Sequence, residues 1–339
     1  MLNAPAQGVF FSGSEVSGIL VVKVDKPKSY KNIQVTLVGQ AHVSWSERGS
    51  DTTVTFSSNE TCINLTDIVW RKQVPTQKLD AGVHNFPFQF QLRARLPSSF
   101  WGSVGWIQYY VEGRIGTGTL KFDHTVKVPI KLLEVVDINV SHLQTPLRAE
   151  KQKTLCCFLC TSAPITLNVE LPRRGFCYGG ILPLKVTIEN GSSRRLRLRA
   201  QLLQKVVYIT VDKESHTQKV VASITSRQLE PRTTSTWNPE EFVVPGHLKP
   251  TTLGSCGIIS IEYFLRVTAI VPWGLNFTIV LAVTIGNVPL HSTTSAPHPV
   301  PMMLQSQFVS PQSVSSVNPT QSVYSPSHQP PQLGPHKPT

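Results

Sequence analysis

The sequence predicts an all-β chain of two tandem antiparallel β-sandwiches followed by a disordered C-terminal tail. Three observations lead there. Apolar residues recur at every second position in several long stretches, a heptapeptide of the first half returns in the second, and the C-terminal residues have a composition that cannot build a core. The 339 residues are 40% hydrophobic and 15% charged, well under the roughly 25% charge of an ordinary soluble domain. Low charge with 26 prolines favours strands and turns, and no long segment carries a 3.6-residue period. At roughly 100–200 residues per domain, this length holds two domains and a tail.

Taken in order, the first predicted strand is Gly18–Val24. The next is long. Ile33, Val35, Leu37, Ala41, Val43 and Trp45 are apolar, Gln34, Thr36, Gln40, His42 and Ser44 are polar, and Gly39 keeps the phase at a bend. Phe86, Phe88, Phe90, Leu92, Ala94 and Leu96 repeat the alternation. In the second half, Gly180-Ile-Leu-Pro-Leu-Lys-Val186 echoes Gly18-Ile-Leu-Val-Val-Lys-Val24, and each is followed by a basic turn and another alternating strand, Ile33–Leu37 or Leu196–Ala200. This order indicates duplication of one sandwich. Ile259, Ile261, Tyr263, Leu265, Val267 and Ala269 supply the last long strand. The polar stretch Ser141–Lys153, containing Pro146, sets the boundary, giving domains 1–145 and 146–290. Residues 291–339 hold ten prolines, ten serines and one formal charge, Lys337, too little apolar surface to offset ordering entropy.

The apolar stretch around Phe277–Ile285 falls short of the roughly 20 residues that span a bilayer, and Met1–Val9 has no signal-peptide pattern. The expectation is a soluble, cytoplasmic chain. Five N-x-Ser/Thr sequons, at Asn59, Asn64, Asn139, Asn190 and Asn276, support a competing reading as a structural or cell-surface β-sandwich protein. Enzyme signatures are absent: there is no G-x-S-x-G, P-loop, H-E-x-x-H or G-x-G-x-x-G after a strand. No catalytic residue, metal site or cofactor is therefore expected. Cys157 and Cys160 form a C-x-x-C without the two further ligands of a zinc site. Cys156, Cys157 and Cys160 read either as reduced thiols or as S-acylation sites, given Leu155, Phe158 and Leu159 among them and Lys151 and Lys153 upstream.

The net charge of +12 divides unevenly: residues 1–145 carry +3, residues 146–290 carry +8 and the tail +1. The most concentrated basic segment is Ser193-Arg-Arg-Leu-Arg-Leu-Arg199. On a strand, Arg195, Arg197 and Arg199 project to one face while Leu196 and Leu198 pack inward, and Arg194 adjoins them. Two readings fit this ladder: an anion site for lipid headgroups or phosphorylated cargo, and a solvated face that guards an edge strand. Nucleic acid is not expected, since no aromatic residues interleave with the arginines to stack bases.

Several segments together resemble the arrestin-domain-containing proteins, or α-arrestins. They are Ser14-Glu-Val-Ser-Gly18, Gly39-Gln-Ala-His-Val-Ser-Trp-Ser-Glu47, Leu96-Pro-Ser-Ser-Phe100 leading into Gly105-Trp-Ile-Gln-Tyr-Tyr-Val111, and the hinge-like Lys153-Thr-Leu-Cys-Cys-Phe-Leu-Cys-Thr-Ser162. Arg174-Gly-Phe176, Ile188-Glu-Asn-Gly-Ser-Ser193, Ile261-Glu-Tyr263 and Ile285-Gly-Asn-Val-Pro-Leu290 continue the series, so that the resemblance covers Phe10–Leu290. It implies two immunoglobulin-like sandwiches joined by a short hinge. It also implies a trafficking adaptor, cytoplasmic and peripheral at plasma membrane and endosomes, whose partners are membrane-protein cargo tails and WW-domain ubiquitin ligases bound through PPxY motifs. The chain departs from that pattern twice. Neither Tyr324 nor Pro330-Pro331 completes a PPxY, which leaves the ligase link open, and Met1–Gly8 gives the family's first strand little room.

Overall fold

The computed structural model describes residues 1–290 except 6–7, 118–122, 155, 158–159 and 162, and leaves the side chains of 156, 157, 160 and 161 undescribed. The tail, residues 291–339, lies outside the described residues. Nineteen strands are described. The first eight are β1 (Val9–Phe11), β2 (Glu15–Val24), β3 (Asn32–Arg48), β4 (Thr53–Arg71), β5 (Gly82–Gln91), β6 (Phe100–Trp101), β7 (Gly105–Gly116) and β8 (His124–Leu133). The second group is β9 (Leu147–Lys153), β10 (Cys156–Cys157), β11 (Cys160–Thr161), β12 (Ile165–Leu171), β13 (Gly175–Cys177), β14 (Lys185–Asn190), β15 (Arg197–Ile209), β16 (Glu214–Thr225), β17 (Thr233–Trp237), β18 (Ile259–Ile270) and β19 (Phe277–Gly286). The described helical structure is a single 3-10 turn at Ser141–Leu143.

The sheets explain the internal echo. Strand order β1-β8-β7-β3-β4 in the first half matches β13-β19-β18-β15-β16 in the second. In both, the first pair is parallel and the rest antiparallel. The facing sheets are β2-β5 and β17-β14-β12-β9. Two antiparallel layers closing over inward-facing alternate residues form each sandwich. The echoed heptapeptides differ locally: the first lies wholly in β2, whereas in the second the strand starts only at Lys185. Pro183, without an N–H, cannot enter the ladder.

Alternation sorts most side chains as the sequence predicts. Ile33, Val35, Leu37, Ala41 and Val43 on β3 are buried, as are Ile259, Ile261, Tyr263, Leu265, Val267 and Ala269 on β18. Trp45 is only partly buried, because it lies past Val43, the last β3 residue paired with β7; it stacks on Phe56 instead. Ala94 is exposed, since β5 ends at Gln91, where its pairing with β2 stops. Gly39 has a reason beyond bending: a Cβ there would lie 2.3 Å from the Tyr109 ring. Opposite it, Cys62 is left unpaired between Thr61 and Ile63, a bulge that turns both Cys62 and Ile63 inward.

Residues 1–3 take the free edge of β2. Leu2 bridges Gly18, the Asn3 amide donates to the Ser17 carbonyl and the Ile19 amide to that of Met1. These residues extend the β2-β5 sheet by one short pairing.

One hydrophobic cluster runs from Phe10 to Ile285 through both sandwiches. Polar bonds stitch the seam between them. Glu60 of β4 accepts from the Gly257 amide at 2.7 Å, Ser255 Oγ donates to buried Glu134 at 2.8 Å, and Lys213 pairs with Glu47. Asn287 clamps the connection after β8: its Oδ1 accepts from the Val136 amide and its Nδ2 donates to the Glu134 carbonyl, both at 2.7 Å.

Candidate functional site

The basic face is built on β15. Leu196 and Leu198 are fully buried while Arg195, Arg197 and Arg199 are exposed, the alternation of a strand whose other side is core. The strand proper begins at Arg197; Leu196 makes an isolated bridge to Leu229. The rungs are not equivalent. Arg195 donates from Nε to Glu230 at 3.1 Å, whereas Arg197 and Arg199 project beside β18 residues Ile270 and Thr268. Directly opposite residues on paired strands share a face. Two pairs further along, Arg266 of β18 lies opposite Gln201 and donates to its Oε1 at 2.9 and 3.2 Å. Arg194 leaves the ladder altogether, and its guanidinium donates to the Pro272 carbonyl at 2.7 Å.

Sequence reasoning missed Arg266 and the contact of Arg194. The first was signalled by the polar phase of β18, where Glu262, Arg266 and Thr268 alternate with the buried set. The second joins residues 78 apart, beyond any local pattern.

Chemistry other than binding finds little support among the described residues. No cluster of three His, Cys, Asp or Glu is placed to hold a metal. Burial pushes Cys62 up to about 12 and Cys177 and Cys256 up to about 11, so these thiols are poor nucleophiles. Lys249 is lowered to about 8, chiefly by burial and secondarily by Lys131, and its backbone carbonyl accepts from the Tyr263 hydroxyl. An apolar cavity of about 230 Å³ lies between the layers of the first sandwich, lined by Leu20, Phe88, Val111 and Val126 and holding no side chain that titrates. For Cys156, Cys157 and Cys160 the backbone is described as a small hairpin, Cys157 opposite Cys160, and their side chains lie outside the described residues.

The sequons bear on the competing cell-surface reading. Asn190 is 2% exposed and its amide donates to the Arg194 and Glu230 carbonyls. Asn139 donates to Asp137 and to the Pro289 carbonyl, and Asn276 accepts from the Val271 amide. Three of the five asparagines therefore serve turns of the fold itself.

A tandem sandwich with matched sheet order, an extensive seam and a basic outer face is an arrestin-type body. Comparison with known proteins agrees. The family model "Arrestin (or S-antigen), N-terminal domain" matches residues 2–139, and "Arrestin (or S-antigen), C-terminal domain" matches 161–290. Arrestin domain-containing protein 4 of Homo sapiens is 28% identical over 292 residues, covering 84% of this chain and 69% of the relative. Arrestin domain-containing protein 1 of Mus musculus is 28% identical over 293 residues, covering 86% of this chain and 64% of that protein. The chain belongs to the arrestin-domain-containing, or α-arrestin, family.

Proposed function

We propose that the chain is a non-enzymatic adaptor in membrane-protein trafficking, binding cargo tails at the plasma membrane and endosomes for endocytosis and sorting. The observation that carries this reading is the exposed Arg197–Arg199 face on the arrestin body, where two guanidinium groups lack a carboxylate partner among the described ion pairs. Guanidinium groups in that setting suit phosphate or carboxylate oxygens bidentately. The +8 balance of residues 146–290 draws acidic partners toward the same half.

Proximity labelling of the full chain in intact cells tests the reading. Membrane transport and receptor proteins, together with endosomal sorting components, are the neighbours expected. A neighbour set confined to the secretory lumen, with a mobility shift on glycosidase treatment, would instead establish the structural cell-surface alternative.

The tail carries a separate prediction. WW domains need a proline platform and the tyrosine of PPxY together, on a preformed polyproline helix. Residues 291–339 offer Pro330-Pro331 followed by Gln332, and Tyr324 preceded by Val323. A peptide of this segment is expected not to bind isolated ligase WW domains at micromolar concentration. Titration that saturates in that range would restore the direct ligase link.

A further inference from the structure

The duplication lets one sandwich be compared with the other, and they differ at one wall. In the second, the inward residues of β19, Phe277, Ile279, Leu281 and Val283, are all buried. The facing sheet β17-β14-β12-β9 extends over them, with β9 packed against β19. In the first, β8 takes the place of β19. Val126 and Val128 lie opposite Gly113 and Val111 of β7, on the face that looks into the sandwich, because opposite residues of paired strands share a face. Yet Val126 is 53% exposed and Val128 is 42% exposed. β5 pairs with β2 as β17 pairs with β14, but beyond β14 come β12 and β9, whereas beyond β2 the described residues supply only the short pairing of residues 1–3. The apolar cavity of about 230 Å³ opens at this gap, between Ile19 and Val21 of β2 and Val126 and Val128 of β8.

The counterpart specifies what the gap lacks. β12 pairs antiparallel with β14 and buries every second residue, Ile165, Leu167, Val169 and Leu171. Between them, Glu170 lies opposite Lys185 and pairs with it at 3.5 Å. In the echoed heptapeptides Lys185 corresponds to Lys23 of β2, which is exposed and has no carboxylate among the described ion pairs. Backbone groups are unpaired there too. The Ser17 carbonyl accepts from the Asn3 amide and the Ile19 amide donates to the Met1 carbonyl, so alternate peptide groups of β2 point to this edge. Those of Val21 and Lys23 meet no strand among the described residues.

We propose that this edge of β2 receives an extended strand from a protein partner, antiparallel to β2, which completes the wall as β12 does in the second sandwich. Its apolar residues, at every second position, fill the cavity against Val126 and Val128, and an acidic residue between them meets Lys23. Strand addition draws affinity from main-chain hydrogen bonds and specificity from pockets for alternate side chains. A strand the length of β12, seven residues, spans residues 17–23 and displaces the pairing of residues 1–3. An acyl chain fits less well, since it fills apolar space but leaves the peptide groups of Val21 and Lys23 without partners. The surface is separate from the Arg197–Arg199 face and does not depend on it.

The test titrates the full chain against a fluorescein-labelled peptide of residues 164–172, which is the chain's own β12 with a proline at each end. Fluorescence polarisation should rise and saturate at micromolar concentration. Val126→Asp combined with Val128→Asp should weaken binding at least about tenfold, because charge then replaces apolar surface in the groove. Both positions are open to water, and a melting curve confirms that the variant folds. A peptide carrying Leu167→Asp and Val169→Asp should fail to bind the unmodified chain, a test of the same contact that leaves the body unaltered. Glu170→Lys in the peptide should weaken binding about threefold, and Lys23→Glu in the chain should reverse that preference. Absence of saturable binding, or equal binding by the folded double variant, would overturn the proposal. So would equal binding of the Leu167→Asp, Val169→Asp peptide. A dimer of the chain that Val126→Asp with Val128→Asp abolishes would assign the edge to a second copy and overturn it as well.

Discussion

Replacing Asn287 with alanine is expected to destabilise the folded body by about 2–6 kcal/mol, since two backbone groups lose their partner at about 1–3 kcal/mol each. The Val136 amide and the Glu134 carbonyl lie in the connection between the sandwiches, and both bond to this one side chain at 2.7 Å. Val136 is fully buried and Glu134 is 3% exposed, which limits the water available to replace the lost bonds. The neighbouring bonds, from the Asn287 and Val288 amides to the Val136 carbonyl, are backbone and survive the change. They hold the chain in place while the Val136 N–H and the Glu134 C=O are stranded. Alanine at exposed Asn85 on β5 serves as the control and should be within about 0.5 kcal/mol of the parent. Urea unfolding measures both. An unchanged midpoint for Asn287→Ala would mean that the clamp contributes nothing to the seam.

How far the sequence reveals this architecture depends on what decides each element. β3 and β18 are legible because a single physical factor, one buried face, keeps Ile33, Val35, Leu37, Ala41 and Val43 of the first and every second residue from Ile259 to Ala269 of the second inside. β5 is legible only to Gln91: the phase continues through Leu92, but the partner strand has ended, and Ala94 turns to solvent. Pro87 inside β5 is tolerated because β5 has a partner on one side only, as an edge strand. Gly39 illustrates a position read correctly for an incomplete reason. The sequence shows a missing side chain, while the need for it comes from Tyr109 on another strand.

The candidate site is less legible. Local spacing places Arg195, Arg197 and Arg199 on one face, but the partner that distinguishes Arg195 is Glu230, 35 residues away. The same holds for Trp273, which is exposed in the turn between β18 and β19. Nothing in Val271-Pro-Trp-Gly-Leu-Asn276 says that the tryptophan faces out, since turn residues carry no alternation to read.

The most direct test of an arrestin body that acts by binding through its basic second sandwich is co-sedimentation with anionic vesicles, comparing the parent with arginine variants. Each basic residue at such a surface contributes about 1 kcal/mol, so Arg197→Ala with Arg199→Ala should weaken binding roughly thirtyfold if the contributions add. Arg195→Ala should change little, because Glu230 already offsets that charge. Raising the salt should shrink the difference, since exposed charges are screened over about 8–10 Å. A melting curve alongside guards against lost packing of the arginine stems. The predicted result is a large, salt-sensitive loss confined to Arg197 and Arg199; equal sedimentation of a stably folded double variant would contradict it and reduce the ladder to a solvated face.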